Sequence, residues 1–237
     1  SKLVLAVFLF IGMGLSAQNT KKVDDIVFLY VDGKYDKLVY KAEALMQHDD
    51  YRRHPLPYIY ASMAYYEMSK QPGKYSVGEK DSEFPKPLQM AQKHLYKFVK
   101  KDSKAKKYYD QNWIDDFKEY YIQIADTSNK LAQYLYHNEK FRKSSSVYKN
   151  AAKAVPSDPV LKLWLGITYL KSKNTYEGKL ALEQAMKDID ENFVPSKATQ
   201  DVLASGMLLA EELLRVNEMY EQADKAKKLI EVFKKYD

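Results

Sequence analysis

The sequence contains no cysteine and little glycine or proline. Because cysteine is absent, the chain holds neither a structural disulfide nor a cysteine-ligated zinc ion, and it lacks the cysteine that carries the lipid of a bacterial lipoprotein. Glycine and proline number eight each among 237 residues, whereas tyrosine numbers 21. Few turn-forming residues and many aromatic ones argue against a turn-rich β-sandwich and favour a helical array with an aromatic interior.

The usual sequence signatures of catalysis are also missing. The chain has no glycine-rich phosphate loop, no nucleophile elbow and no paired-carboxylate motif. The acidic pairs Asp115-Asp116 and Glu211-Glu212 are explained more simply as solvated helix faces. We therefore expect a protein that is not an enzyme and that holds no cofactor.

The histidines do not have the spacing of a metal site. His48 and His54 lie near Asp49 and Asp50, but in a predicted loop without the i, i+4 register that brings ligands together on a helix. No further set of ligands accompanies them, and the other two histidines are distant in sequence. We expect no bound metal.

What the chain does contain is one spacing of residue types that occurs twice in succession, between Ala125 and about Asp190. The second copy follows the first after 34 residues, and a period of about 34 is typical of helix-turn-helix arrays. The first copy consists of Leu131, Ala132, Leu135, Phe141, Ser144, Tyr148, Ala151 and Pro156. The second consists of Leu165, Gly166, Tyr169, Thr175, Gly178, Leu182 and Ala185.

Small residues occupy the same two offsets in each copy. Ala132 and Ser144 are expected to face each other where two helices cross, and Gly166 and Gly178 hold the equivalent places. Helices that pack with axes about 8–10 Å apart need small side chains at the closest contact. Because a glycine within a helix costs about 1 kcal/mol relative to alanine, its presence at both offsets indicates a packing requirement. Asp158 before a proline predicts the start of a helix.

On these residues the chain resembles the tetratricopeptide repeat (TPR) family. The resemblance implies an all-α fold, a TPR-like α-solenoid of about five antiparallel helix pairs in a right-handed superhelix. It also implies a protein that binds segments of other proteins in a concave groove lined by the first helix of each pair. The predicted units span about 22–52, 55–101, 110–156, 157–191 and 195–237.

Two stretches depart from the repeat pattern. Residues 70–85 carry prolines and glycines among charges and predict an exposed loop. Residues 102–124 contain an apolar stripe, which predicts that the first helix of the third unit is extended into one long helix ending near His137. The alternative is a separate helix that is broken around residues 126–128. The stripe consists of Trp113, Ile114, Phe117, Tyr120, Tyr121 and Ile124.

The N-terminus has the pattern of a secretory signal peptide. Lys2 precedes an apolar run, Leu3 to Leu15, that is too short for a comfortable membrane span, and Ser16-Ala17-Gln18 resembles the end of export signals of the Bacteroidetes type. We expect a signal peptide at 1–18, no integral membrane span after its cleavage, and an exported protein that is periplasmic or associated with the outer membrane. A retained N-terminal anchor is the rival interpretation.

The resemblance also indicates which residues contact a partner. In the family, positions two, five, nine and twelve of each first helix line the groove, and the spacing places them on one stripe. The lysine and asparagine of the family's carboxylate clamp are missing, which leaves a largely apolar floor. Tyr66 and Tyr136 are the expected anchors, and the rival interpretation is that the chain itself, for example its 70–85 segment, covers this floor. The predicted partner-binding residues are Ile59, Met63, Tyr66, Asn129, Gln133, Tyr136, Leu163, Ile167 and Leu170.

A cluster of lysines lies in the second unit and just beyond it. A solvated surface explains the cluster most simply, contact with an acidic protein or with anionic lipid headgroups is the next interpretation, and we expect no nucleic-acid partner for an exported protein. The cluster consists of Lys97, Lys100, Lys101, Lys104, Lys106 and Lys107, followed by Tyr108 and Tyr109.

These observations predict a protein–protein interaction or scaffolding module of the bacterial cell envelope, with a protein or peptide of the envelope as its partner. The alternative is a non-enzymatic envelope component that handles glycans or lipids with the same helical array. The sequence indicates neither the partner's identity nor the oligomeric state.

Overall fold

The computed structural model of the protein describes residues 17–75 and 82–234. Every regular element in these two ranges is helical, and no strand occurs in them, so the predicted all-α fold is confirmed. The predicted signal peptide lies outside the described residues except for its last two positions, and so does the middle of the predicted 70–85 loop.

Twelve α-helices and two 3-10 turns make up the described residues. The 3-10 turns are Ile114–Phe117 and Gln200–Val202. The helices are α1 Ala17–Val31, α2 Tyr35–Gln47, α3 Leu56–Ser69, α4 Pro72–Tyr75, α5 Pro87–Asp102, α6 Ala105–Tyr109, α7 Lys118–His137, α8 Phe141–Ala154, α9 Pro159–Lys171, α10 Thr175–Asp188, α11 Leu203–Val216 and α12 Tyr220–Phe233.

The described chain divides into two compact units between Asp115 and Asp116. In unit 1, α3 is the central helix: it packs against α1, α2 and α5, and eleven of its 14 residues are buried. In unit 2, α9 has the central place and packs against α8, α10 and α11. The pairs α1–α2, α3–α5, α7–α8, α9–α10 and α11–α12 all pack helix against helix, as expected for TPR-like pairs. The unit boundaries and the handedness of a superhelix stay predictions.

The two matched glycines lie at the crossing of α9 and α10. A Cβ added to Gly166 would stand 2.6 Å from Cγ of Leu182, and one added to Gly178 would stand 2.7 Å from Cγ of Leu170. Each glycine therefore makes room for a leucine of the facing helix. Since no real side chain tolerates so short a contact unmoved, the predicted packing requirement at both offsets is confirmed.

Serine takes the glycine's place in two other pairs and adds a hydrogen bond between the helices. The hydroxyl of Ser144 on α8 donates to the carbonyl oxygen of Ala132 on α7 at 2.8 Å. The hydroxyl of Ser62 on α3 donates to the carbonyl oxygen of Ala91 on α5 at 2.7 Å. Ala132 and Ser144 thus face each other as the sequence predicted.

The start of α9 is built as predicted, and it is anchored by more than its own cap. Asp158 accepts a hydrogen bond from the backbone N–H of Val160 at 3.1 Å, the standard N-cap contact. Its carboxylate also accepts bonds from the hydroxyls of Ser196 at 2.7 Å and Thr199 at 2.9 Å. One buried acid therefore caps α9 and ties the segment before α11 to it.

The predicted extension of α7 is right from Lys118 onward and wrong before it. The helix begins at Lys118 and continues without a break through residues 126–128, so the broken-helix alternative is wrong. Residues 103–117 instead contain the separate α6 and a 3-10 turn. The buried carboxylate of Asp102 accepts hydrogen bonds from the backbone N–H groups of Trp113 at 2.7 Å and Ile114 at 3.1 Å, and it thereby holds this connection against the end of α5.

The flanks of the predicted 70–85 loop are not wholly exposed. The short helix α4 ends at Tyr75, which is buried, and Phe84 is buried as well. The ring of Phe84 lies 6.2 Å from that of Tyr75, 5.9 Å from that of Tyr40 and 6.3 Å from that of Tyr65. These aromatic contacts attach both described ends of the segment to unit 1.

Candidate partner-binding site

In unit 1 the three predicted binding residues are part of the interior. Ile59 is inaccessible, and Met63 and Tyr66 are only 3% and 6% exposed. The ammonium group of Lys70 lies 4.1 Å from the centre of the Tyr66 ring. Because these side chains pack inside the unit, they offer no open floor in this structure.

In unit 2 two of the predicted residues of α9, Leu163 and Ile167, are fully buried. Gly206 of α11 lies against Leu163 and its neighbour Trp164, since a Cβ built on it would stand 3.0 Å from Cδ2 of Leu163 and 2.9 Å from Nε1 of Trp164. Leu170, which is half-buried, points instead to Gly178 of α10. Within unit 2, α11 thus packs over the Leu163 part of the predicted stripe.

Two predicted residues of α7 belong to a hydrogen-bonded chain of side chains. The amide of Gln133 donates to the hydroxyl of Tyr148 at 2.7 Å, and that hydroxyl donates to Oδ1 of Asn129 at 2.9 Å. Asn129 in turn donates to the carbonyl oxygen of Ala198 at 3.0 Å. Burial raises the pKa of the Tyr148 phenol, so this group stays a neutral donor. The network fixes α7 against α8 and against the segment that leads to α11.

Tyr136 is the predicted anchor that stays at the surface. Its ring lies 5.3 Å from that of the buried Trp164 and 5.4 Å from that of Phe141, and both contacts are edge-on. The residue is half-buried. Burial raises the pKa of its phenol, and the negative charge of Glu212 on α11 raises it further, which places that carboxylate near the ring.

The side of α11 that faces away from the core carries exposed residues at spacings of three and four, beginning with Ser205. Leu208 is 58% exposed, and Glu212 follows it one turn later. We give the name α7–α11 face to the accessible side chains Gln133 and Tyr136 of α7 and Leu208 and Glu212 of α11, which are linked by the influence of Glu212 on the Tyr136 phenol.

The nine predicted residues therefore have different environments. Three of them, Gln133, Tyr136 and Leu170, are half-exposed. The other six are buried: Ile59, Met63, Tyr66, Asn129, Leu163 and Ile167. Their place in the packing is what the structure shows, and their role in binding a partner stays a prediction. Sequence reasoning missed Leu208 and Glu212, because no local spacing indicates that the charge of Glu212 on α11 acts on Tyr136 of α7.

A second surface feature of unit 2 is an open polar cavity of about 360 Å³ between the start of α8 and the turn that joins α9 to α10. The guanidinium of Arg142 and the ammonium of Lys173 line it, and no acid does. Its two serine hydroxyls donate to carbonyls of their own helices. The lining is Arg142, Ser145, Tyr169, Ser172, Lys173 and Asn174.

The described residues contain no group of three or more histidine, aspartate or glutamate side chains that could hold a metal ion. His48 lies 3.5 Å from a carboxylate oxygen of Asp50, whereas His54 packs against the rings of Tyr109 and Trp113. Within the two described ranges, no helix is both long and apolar enough to cross a bilayer.

No family model matches the sequence, and no curated protein matches it. Among solved structures, the chain is similar to the MamA RS-1 ArsTM double mutant, with 10% identity, a TM-score of 0.37, and coverage of 94% of this chain and 97% of that one. It is also similar to MamA 41-end from Desulfovibrio magneticus RS-1, with 10% identity, a TM-score of 0.36, and coverage of 94% of this chain and 98% of that one. A third similar structure is the C-terminal part of a TPR repeat-containing protein from Cytophaga hutchinsonii, with 15% identity, a TM-score of 0.32, and coverage of 91% of this chain and 96% of that one. We base no conclusion on similarities this low.

Proposed function

We propose that this protein is a non-enzymatic scaffold of the bacterial cell envelope that binds a segment of a partner protein on the α7–α11 face. The observation that carries the proposal is the position of Tyr136. An aromatic ring is held edge-on between two other rings yet remains half-exposed, and the charge of the exposed Glu212 acts on its phenol. Aromatic residues fixed in this way supply much of the binding energy of protein interfaces.

The surroundings of Tyr136 favour binding because they are already ordered. The hydrogen bonds of Gln133, Tyr148 and Asn129 hold the wall beside it, and the packed side chains of α9 lie beneath. A surface that is rigid before binding loses little conformational entropy when a partner arrives. The combination of Leu208 and Glu212 suits a partner segment that carries an apolar side chain next to a basic one.

The envelope location rests on the N-terminal sequence. A basic residue, a short apolar run and a small-residue end are typical of secretory signals. N-terminal sequencing of the protein from its native host should give a mature start near Gln18 or Asn19. Recovery of the uncleaved N-terminus in the membrane fraction would support the anchor instead.

Partner capture by the α7–α11 face is tested with a charge-changing pair of substitutions. The variant Leu208→Lys/Glu212→Lys alters two exposed side chains, so the fold should be unaffected. Purified protein is used to capture partners from an envelope extract of the host, and the bound proteins are identified. We expect a partner of the wild type to be lost from this variant.

The control makes the same change of composition and charge on α10. Leu180, which is 52% exposed, and Glu177 one turn before it are replaced by lysine. The control variant should retain the partner. Equal retention by both variants, or equal loss, would show that the α7–α11 face is not the binding surface.

A further inference from the structure

The positive charge of this protein is concentrated in one short stretch. Residues 93–107 contain seven lysines and one aspartate, a net charge of +6 that equals the net charge of the whole chain. The rest of the sequence therefore has as many acidic as basic residues, 31 of each. Such a distribution creates a local positive potential that a uniformly charged surface lacks.

Four of these lysines lie on one face of α5 and its C-terminal turn. Lys93, Lys97, Lys100 and Lys104 follow one another at spacings of four, three and four residues, which is the spacing of one helix face. The opposite face packs into unit 1 through a separate set of side chains. That buried set is Ala91, Gln92, His94, Leu95, Phe98 and Asp102.

The stretch continues around Tyr108 on α6. The guanidinium of Arg53 lies 5.4 Å from the centre of this ring and the ammonium of Lys107 lies 5.8 Å from it, while the ring itself is 49% exposed. Within unit 1, Arg53 therefore joins the same surface. We call it the lysine face, and it consists of Lys93, Lys97, Lys100, Lys101, Lys104, Lys106, Lys107, Arg53 and Tyr108.

The described residues offer the lysine face no ion-pair partner. None of its eight cations forms an ion pair with a described carboxylate, whereas lysines elsewhere in the described chain do, for example Lys162 with Asp188 at 2.8 Å. The acid within the stretch, Asp102, is buried and occupied by backbone N–H groups. Partial burial, and after it the charges of Lys93 and Lys101, lower the pKa of Lys97, while the carboxylate of Glu43 on α2 opposes this shift.

We propose that the lysine face docks on an anionic lipid surface. Lysine is a flexible point charge, and a convex helix face that displays lysines suits a continuous layer of headgroups better than it suits one carboxylate, for which the fork of arginine is the better match. An exposed tyrosine between cations also fits the interface between headgroups and acyl chains. An acidic protein or RNA as ligand is then an alternative that the experiment separates.

The test is co-sedimentation of the full chain with vesicles of phosphatidylcholine alone or with 30% phosphatidylglycerol. We expect binding to the anionic vesicles to exceed binding to the neutral ones and to weaken with added salt. In the variant Lys93→Gln/Lys97→Gln/Lys100→Gln/Lys104→Gln, the ratio of binding to anionic vesicles over binding to neutral vesicles should fall by at least about tenfold. The matched control replaces four unpaired exposed lysines of unit 2, which are Lys149, Lys153, Lys227 and Lys228.

The absence of native cysteine permits a second readout that does not depend on the variant's folding or on the apolar N-terminal run. A polarity-sensitive fluorophore is attached to Ser103→Cys on the lysine face, or to Ser146→Cys on α8 as a control; both serines are exposed. Anionic vesicles should shift the emission of the first label and leave that of the second unchanged.

Equal binding to both kinds of vesicle, equal loss in the two quadruple variants, or equal response of the two labels would overturn the proposal. Failure to bind anionic vesicles combined with lysine-dependent binding of polyglutamate or of RNA would also overturn it, and would assign the face to that other ligand.

Discussion

At the scale of single residues, Gly166 shows how little space the α9–α10 crossing leaves. The Cβ of an alanine there would lie 2.6 Å from Cγ and 2.9 Å from the backbone nitrogen of Leu182. A backbone atom cannot rotate away, so the helices themselves must separate. Gly73 is the opposite case, because nothing lies within 4 Å of a Cβ built on it.

We predict that Gly166→Ala destabilises the protein by about 1–3 kcal/mol, in spite of the better helix propensity of alanine. Gly73→Ala should leave the stability unchanged or slightly higher. Urea unfolding followed by circular dichroism measures both. Identical midpoints for Gly166→Ala and the wild type would show that the crossing is looser than the structure indicates.

His54 makes unit 1 sensitive to acid. Its ring packs 4.8 Å from the ring of Tyr109 and 5.1 Å from that of Trp113, and its Nδ1 accepts a hydrogen bond from the backbone N–H of Leu56 at 3.3 Å. Burial lowers its pKa to about 4, against 6.5 for the free side chain. The unfolded chain therefore takes up the proton first as the pH falls.

The consequence is a loss of stability that begins below pH about 6.5 and is complete near pH 4, on the order of 2–3 kcal/mol. The variant His54→Phe keeps the aromatic contacts and removes the titration, so its stability should fall less between pH 7 and pH 4.5. His137→Gln, at an exposed position of unit 2, is the control. Parallel pH profiles for wild type and His54→Phe would contradict the assignment.

At the scale of elements, four of the turns within helix pairs have the same construction. In the turn after α9, the N–H of Lys173 bonds to the carbonyl of Leu170, and the N–H of Asn174 bonds to that of Tyr169. These two bonds define a Schellman cap, whose residue with positive φ is normally glycine. The residues at this position are Gly33, Glu139, Lys173 and Glu218, with φ of 69°, 56°, 66° and 61°.

Three of these caps therefore hold a side chain in a left-handed conformation that costs about 1 kcal/mol relative to glycine. We predict that Lys173→Gly stabilises the protein by about 0.5–1 kcal/mol, whereas Lys171→Gly, two residues earlier in the last turn of α9, destabilises it by about 1 kcal/mol. Thermal unfolding of both variants measures the difference. A lower melting temperature for Lys173→Gly would contradict the assigned turn geometry.

At the scale of the whole molecule, the division between Asp115 and Asp116 has a testable meaning. Unit 2 has its own central helix, α9, covered by α8, α10 and α11, and its own buried polar network. A fragment that spans residues 116–237 contains all of these contacts. Because these contacts all lie within the fragment, we predict that it folds alone.

The expected result is a helical circular dichroism spectrum and a single cooperative urea transition for the fragment. The same fragment with Tyr148→Ala, which removes the centre of the network, should lose several kcal/mol of stability or fail to fold. A wild-type fragment without a cooperative transition would mean that unit 2 needs unit 1 for its stability.

Much of the architecture could be predicted from local patterns. Apolar spacing indicated the helices, the 34-residue period indicated the pairs, and small residues at matched offsets indicated the crossings. The cap at Asp158 was predictable for the same reason, since capping involves residues that are adjacent in the chain. Three of the four Schellman turns escaped prediction, because Glu139, Lys173 and Glu218 are not residue types that normally adopt positive φ.

The sequence by itself determined that the chain is helical, where its pairs cross and where its positive charge is concentrated, because each of these depends on residues close together along the chain. Only the tertiary structure decided which apolar stripes stay accessible. Ile167 and Tyr136 look equally suited to a groove in the sequence, yet the fold buries the first completely and leaves the second half-exposed. That outcome depends on contacts between residues some 40–70 positions apart, such as the bond from Asn129 to Ala198, which no local spacing encodes.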